Sequence, residues 1–221
     1  DGLLIASGKP YDTLEGVIFG SGRPGSLTEM GVDVLQAELT PEGSLDIPAV
    51  LRLMDPKTRV IFLQRSRGYA LRPSLVPAEM AGLIRAVKAV NPEVFVLVDN
   101  CYGAFVTEDE PTFYGADAAA GSLIKNLGGG LAPTGGYIAG TARAVSLIEN
   151  RLTAPGLGRE VGSYEGSYRP FYQGLFMAPH TVCQALKVAA LSARAAELLG
   201  FEAYPGSQAP RADIIQAFVP G

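Results

Sequence analysis

The chain has 221 residues, 48% hydrophobic and 18% charged, so it can bury a real core and is not disordered in bulk. Its net charge is -4 with the signs interspersed, and no basic run or Lys/Arg face points to nucleic acid or another polyanion as a partner. No apolar run is long enough to cross a bilayer, no signal peptide is visible, and the two distant cysteines, Cys101 and Cys183, fit no metal spacing or disulfide scaffold, so a reduced, cytoplasmic setting is expected.

Short apolar runs alternate with helical patterns, the rhythm of βαβ units and a mainly parallel sheet flanked by helices. The chain opens in mid-pattern, with Asp1-Gly2 feeding a strand over Leu3–Ser7. A short helix over Asp12–Phe19, a strand over Val34–Ala37, a helix over Ile47–Met54 and a strand over Val60–Leu63 follow. Pro77–Val90 places Met80, Leu83, Ile84 and Val87 at helical spacing, with one wet face. Val94–Val98 is a continuous apolar run, as a strand buried on both faces should be. Further strands are predicted over Ala118–Gly121 and Gly136–Ala139, and a helix over Ala142–Arg151.

That helix runs into the breaker-rich Ala154-Pro155-Gly156-Leu157-Gly158, and Gly156–Gly174 reads as loop. A long helical pattern over Ala178–Leu199 ends at Gly200, a plausible residue just past the cap. The expected division is a large domain, 1–177, and a connecting helix that begins a smaller C-terminal domain, 178–221. The last apolar segment, Ile214–Val219, stops as it is established, and both ends have the look of cut ends.

In open α/β sheets, ligands sit beyond the carboxyl ends of the strands. Three polar clusters fall there: Gln64–Tyr69, Asp99–Gly103 and Ser122–Asn126. A carboxylate such as Asp99, flanked by apolar sequence, needs a cationic or hydrogen-bonding partner. A protonated pyridine nitrogen would serve; a strand-end Asp capping the next turn is the bland alternative. Lys125 stands in an apolar, glycine-rich stretch where a solvated lysine is out of character. Desolvation and nearby positive charge would lower its pKa and free the amine as nucleophile and base. Ser122 would place a hydroxyl on a phosphate beside it, and Gly128-Gly129-Gly130 permit a sharp turn and close backbone approach. Ser-x-x-Lys alone is weak, since serine β-lactamases share it, but their further motifs are missing.

Asp99-Asn100-Cys101-Tyr102 followed by Ser122-x-x-Lys125 resembles the fold-type-I pyridoxal-phosphate (PLP) enzymes, the aspartate aminotransferase superfamily. That resemblance implies Asp99 on the pyridine nitrogen, Cys101 under the ring, Tyr102 at the 3-hydroxyl, Ser122 on the phosphate and Lys125 as the Schiff-base lysine. Longer blocks narrow it: Gly8–Thr13, Gln64–Ser74, Gly121–Gly140 and Tyr172–His180 resemble the methionine γ-lyase-like family, also called the aluminium-resistance or cystathionine β-lyase-like family. The resemblance implies a homo-oligomeric carbon–sulfur lyase that uses PLP on a small sulfur-containing amino acid. It also implies further cofactor-binding sequence before Asp1 and a longer C-terminal domain. The family usually has Pro where this chain has Leu127, and acidic residues near Ala104 and Thr107; the lost carboxylate is expected to alter hydrogen bonding around Asp99.

Other residues carry weaker expectations. Tyr11, Ser66 and Arg67 are candidate substrate or phosphate contacts; Arg65, Arg67 and Arg72 crowd one strand end where they could meet phosphate or a substrate carboxylate, with an ordinary solvated face the equal alternative for at least two of them. His180 is expected near a helix start in a packing role. Tyr164, Tyr168 and Tyr172 suit an interface or a core. No metal-ligand cluster is visible, although the family name carries a metal phenotype. The same Asp/Tyr/Ser/Lys set would serve an aminotransferase, and a degenerate, non-catalytic relative is the rival from another class. A nicotinamide-binding domain is disfavoured, because no G-x-G-x-x-G follows the first strand.

Overall fold

The computed structural model describes residues 1–20, 24–154 and 156–219. Six strands make one sheet: β1 (Gly2–Ile5), β2 (Asp33–Gln36), β3 (Thr58–Gln64), β4 (Phe95–Asp99), β5 (Ala118–Ser122) and β6 (Gly136–Gly140). Their order is β2-β1-β3-β4-β5-β6. The first five run parallel, and β6 pairs antiparallel with β5 on one edge. Each lies within a residue or two of its expected place.

The helices are α1 (Asp12–Phe19), α2 (Ile47–Leu53), α3 (Pro77–Val90), α4 (Ala142–Glu149) and α5 (Arg169–Leu198). Three of them start on local signals. The Asp46 carboxylate accepts the Ala49 N–H at 2.9 Å and the Thr141 hydroxyl accepts the Ala144 N–H at 3.2 Å. At α3, Pro77 occupies the first turn and the Glu79 carboxylate accepts the Val76 N–H at 3.0 Å.

Strand alternation sends Leu4, Ile61, Leu63, Val96 and Val98 to one face of the sheet. There they pack with Val50 of α2 and Met80, Leu83 and Val87 of α3 in the main core. Truncating one of these fully buried side chains, such as Leu83, to Ala costs about 2–5 kcal/mol on general grounds. The core thus holds β3 and β4 rigid, and their carboxyl ends deliver the polar clusters.

Helix α5 begins at Arg169, earlier than expected, so the end of the stretch read as loop is helical, and the connecting helix expected from Ala178 is the later part of one 30-residue helix. Gly174 misled as a breaker: it is buried in α5 because its backbone lies against the backbone of Gly128, where a side chain would collide. Pro179 sits inside the same helix, and His180 is exposed at mid-helix rather than packed near a start. Of the breaker-rich loop before it, Pro155 lies outside the described residues.

Helix α5 stops as expected at Gly200, whose φ of 85° closes a Schellman turn. Its N–H donates to Glu197 at 3.1 Å and the Phe201 N–H donates to Ala196 at 3.0 Å. Two short antiparallel strands follow, β7 (Glu202–Tyr204) and β8 (Ala217–Val219). The segment between them returns to the sheet, where the Ile214 N–H donates to the Tyr102 carbonyl at 3.1 Å. Among the described residues no helix is long and apolar enough to cross a membrane.

Candidate active site

The site is assembled at the carboxyl ends of β3, β4 and β5, which register pairs Gln64 with Asp99 and Asp99 with Ala120. Asp99 ends β4, and its Oδ1 accepts the Cys101 N–H at 2.9 Å. That bond closes an Asx turn and fixes the carboxylate. Among the described residues Asp99 makes no ion pair, so its charge is left to meet another cation.

Beyond it the chain turns sharply, with Tyr102 at φ 65° and Phe105 at φ 62°. Such left-handed conformations in aromatic residues cost about 1–3 kcal/mol each and persist only where surrounding contacts fix them. They serve to bring the Tyr102 ring beneath the next strand end. Lys125 lies there, its Nζ 4.0 Å from the ring centroid. Ser122 caps the intervening turn: its Oγ accepts the Ile124 N–H at 3.2 Å and its carbonyl accepts the Lys125 N–H at 3.3 Å.

The lysine differs from its expectation. Burial lowers its pKa, but Cys101 and Tyr102, through charge and hydrogen bonding, outweigh that and hold the Lys125 ammonium above the usual lysine range. The side chains that act on the amine are the Cys101 thiol and the Tyr102 phenol rather than a positive neighbour. Burial, followed by Asp99, pushes the Cys101 thiol up, so it is a poor nucleophile and suits a packing role. Tyr11 belongs to the same constellation: burial and then Asp99 raise its phenol, while Lys125 opposes them. Its N–H is held by Gln64 Oε1 at 2.9 Å.

Ser66 and Arg67 lie further along the β3 end. The buried Ser66 hydroxyl accepts the Gly68 N–H at 3.3 Å. Arg67 donates its backbone N–H to Ser74 Oγ at 3.1 Å, and Ser74 in turn bonds the buried Asp213 carboxylate. Neither Arg65 nor Arg67 belongs to a solvated face: they are 0% and 6% exposed.

Arg65 anchors a network that sequence reasoning missed. Its guanidinium donates to Asn100 Oδ1 at 2.7 Å, Thr107 Oγ1 at 2.8 Å and Glu110 Oε2 at 3.4 Å. Asn100 donates to Glu110 at 2.8 Å and to the Tyr137 hydroxyl at 3.0 Å, and Glu110 also accepts the Phe105 N–H at 2.8 Å. Burial above all pushes the Tyr137 phenol up to about 12. Glu110 is the carboxylate that serves this turn, accepting from Arg65, Asn100 and the Phe105 N–H. Asn100 and Asn126 carried the same signal as Lys125, a polar residue in an otherwise apolar stretch.

Two of the three glycines allow the expected close approach, Gly128 within its own turn and Gly129 to α5, while Gly130 faces open space. A side chain on Gly128 would strike the Leu123 carbonyl, and one on Gly129 the Gly174 carbonyl. Tyr164, Tyr168 and Phe171 form an edge-on aromatic cluster at the start of α5, with centroids 5.0–6.0 Å apart. Among the described residues no group of three His, Cys, Asp or Glu side chains is placed to hold a metal ion.

The donor set and the space fit a PLP group. Asp99, Cys101, Gly121 and Ser122 border a cavity of about 1260 Å³ that also reaches Phe62 and Tyr137. Asp99, without an ion-pair partner among the described residues, borders this cavity, and the Lys125 amine rests on the Tyr102 ring beside Cys101. Lys125 itself is not part of the cavity lining.

A mostly parallel sheet flanked by helices, with a carboxylate ending β4 and a half-buried lysine in the turn after β5, has the architecture of a fold-type-I large domain. Residues 1–219 match the family profile described as methionine gamma-lyase, and the chain belongs to that family. It is 49% identical over 219 residues to the uncharacterized protein YnbB of Bacillus subtilis, covering 98% of this chain and 52% of YnbB. A Listeria innocua structure, provisionally assigned as a cystathionine beta-lyase involved in aluminum resistance, is 47% identical with a TM-score of 0.94, covering 99% of this chain and 54% of that one. A carbon-sulfur lyase involved in aluminum resistance from Clostridium novyi is 42% identical with a TM-score of 0.93, covering 99% and 52%. The chain therefore spans about half the length of these three relatives.

Proposed function

We propose that this chain carries the cofactor-binding part of a PLP-dependent carbon–sulfur lyase acting on a small sulfur-containing amino acid. The observation that carries the proposal is the Lys125 amine over Tyr102, one strand from the fixed carboxylate of Asp99. Similarity to the Clostridium novyi carbon-sulfur lyase supports the choice of reaction. A reduced, cytoplasmic setting and a homo-oligomeric state belong to the same proposal, supported by two unpaired cysteines and by the family resemblance.

The residues divide the work. Asp99 would hold a protonated pyridine nitrogen, Ser122 would donate its hydroxyl to the phosphate, Tyr102 would meet the ring hydroxyl and Lys125 would take the covalent link. PLP supplies an electron sink for a carbanion at the substrate α-carbon. Asp99 keeps that sink effective by favouring the protonated nitrogen. Lys125 Nζ would take the proton from the substrate α-carbon. Its raised pKa makes the resulting ammonium stable beside Cys101 and Tyr102, where it can return the proton to the departing sulfur. The carbon–sulfur bond then breaks to release a thiol, and water releases the nitrogen as ammonia, leaving a keto acid.

The test is a visible absorbance scan with added PLP, followed by borohydride reduction and peptide mapping. A visible band, with the reduced cofactor trapped on Lys125 and lost in Lys125→Ala, is the expected result. Thiol, ammonia and keto acid in equal amounts would identify the lyase. No band here but one in a chain extended at both ends would place missing site residues outside this sequence. No trapping on Lys125 in either would refute the proposal.

A further inference from the structure

We infer that Asn126 is a positioning residue for Lys125, its buried carboxamide clamping the Tyr102 turn beneath the lysine amine. The inference deepens the proposed function, since it takes Lys125 as the reactive amine. Asn126 is 5% exposed and directly follows Lys125 in the chain. Its Nδ2 donates to the Tyr102 carbonyl at 3.0 Å and to the Ala104 carbonyl at 2.9 Å. Both hydrogens of one nitrogen thus bind the neighbouring strand's turn on either side of Gly103.

That turn needs holding. Tyr102 is left-handed, and its carbonyl takes a second donor, the Ile214 N–H at 3.1 Å. The contacts over-determine a conformation that a tyrosine would otherwise leave. On the other side, Asn126 opens a tight 3-10 turn over Asn126–Gly128 that is itself packed against α5. Lys125 and Tyr102 are therefore joined through one carboxamide, so their 4.0 Å stacking is fixed rather than left to two flexible side chains.

The residue type supports a positional role. Asn126 Oδ1 is buried with no hydrogen-bond partner among the described residues. Stranding an acceptor in this way costs about 1–3 kcal/mol, which an apolar residue filling the same space would avoid. Only a group with two donors on one atom serves both carbonyls. Aspartate has the same shape, but its oxygens would face two carbonyl oxygens.

The test uses the full chain and reads the pH dependence of acylation at Lys125 by peptide mapping, which needs no cofactor. In Asn126→Ala the amine should leave the Tyr102 ring and lose the contacts that hold its pKa up. Labelling of Lys125 below that pKa should become several-fold faster, and PLP trapping on Lys125 should weaken. Val50→Ala, in the core under α2, should lower stability and leave the Lys125 profile unchanged. Should the alanine variant not fold, the neutral, similar-sized Asn126→Leu decides by the same profile. An unchanged Lys125 profile in a folded Asn126 variant would overturn the inference. If Lys125 traps PLP neither here nor in the chain extended at both ends, yet its profile shifts in the variant, the functional proposal falls and the positional one stands.

Discussion

Replacing Glu110 by Ala should destabilise the chain through the arginine it leaves behind. Arg65 is fully buried, and its Nε already lacks a partner among the described residues. Glu110 is the carboxylate that pairs with it, and it also accepts from Asn100 and from the Phe105 backbone. Removing one partner of a buried ion pair costs about 3–5 kcal/mol, because the remaining charge stays desolvated. The Glu110 side chain is 33% exposed, so water can enter in its place and the lower range of about 2–3 kcal/mol applies. For a chain of this size that corresponds to a fall of about 4–12 °C in Tm. Urea unfolding of wild type, Glu110→Ala and Glu110→Gln measures it. The glutamine variant keeps one acceptor but not the charge, and it should fall between the other two. A loss below about 0.5 kcal/mol in the alanine variant, the ordinary scatter of surface substitutions, would refute the charge-burial reasoning.

Three further outcomes follow from the geometry. Tyr137 is raised in the folded state, so its stabilisation is fully present below about 10 and lost as pH climbs through about 12. A spectrophotometric tyrosine titration should show one phenol ionising last, and Tyr137→Phe should remove it. Lys125 is also raised, so its contribution is full below the ordinary lysine pKa and fades as pH passes the folded value. Tyr102→Ala should flatten that alkaline loss, read as the difference between urea midpoints on either side of it. Gly129→Ala would force a β-carbon at φ 58° against the Gly174 carbonyl. A compatible glycine replacement would gain up to ~1 kcal/mol, whereas this one should destabilise by more than that and lower Tm measurably.

The sheet was legible because its strands are uninterrupted apolar runs. Val94–Val98 needed no partner to be recognised, and the polar residues just past such runs marked Asp99, Tyr102, Ser122 and Lys125. Facts decided by tertiary contact were hidden. Gly174 reads as a breaker until α5 is seen lying against Gly128, and Arg65 reads as a surface cation until Asn100, Thr107 and Glu110 surround it. The Lys125 pKa went the wrong way for the same reason: sequence shows that a lysine sits among apolar residues, but not which rings and thiols fold over it. The start of α5 was missed because tyrosine and glycine spacing between Gly156 and Gly174 mimics a loop, while an aromatic cluster and a backbone contact make its last turns helical.

Alternation along β4 sends Val96 and Val98 to the core and leaves Leu97 and Asp99 on the cavity side. The next residue, Asn100, is buried with Arg65 and Tyr137. Acid and amide are adjacent in sequence yet serve different partners: Asp99 borders the cavity, while Asn100 bonds the buried guanidinium of Arg65. A single-residue deletion within Phe95–Val98 would draw Asn100 into the last position of β4 and put a neutral carboxamide where the carboxylate now borders the cavity, while turning the core-facing valines over. The chemistry here is therefore encoded in the count of residues along the strand as well as in their kind.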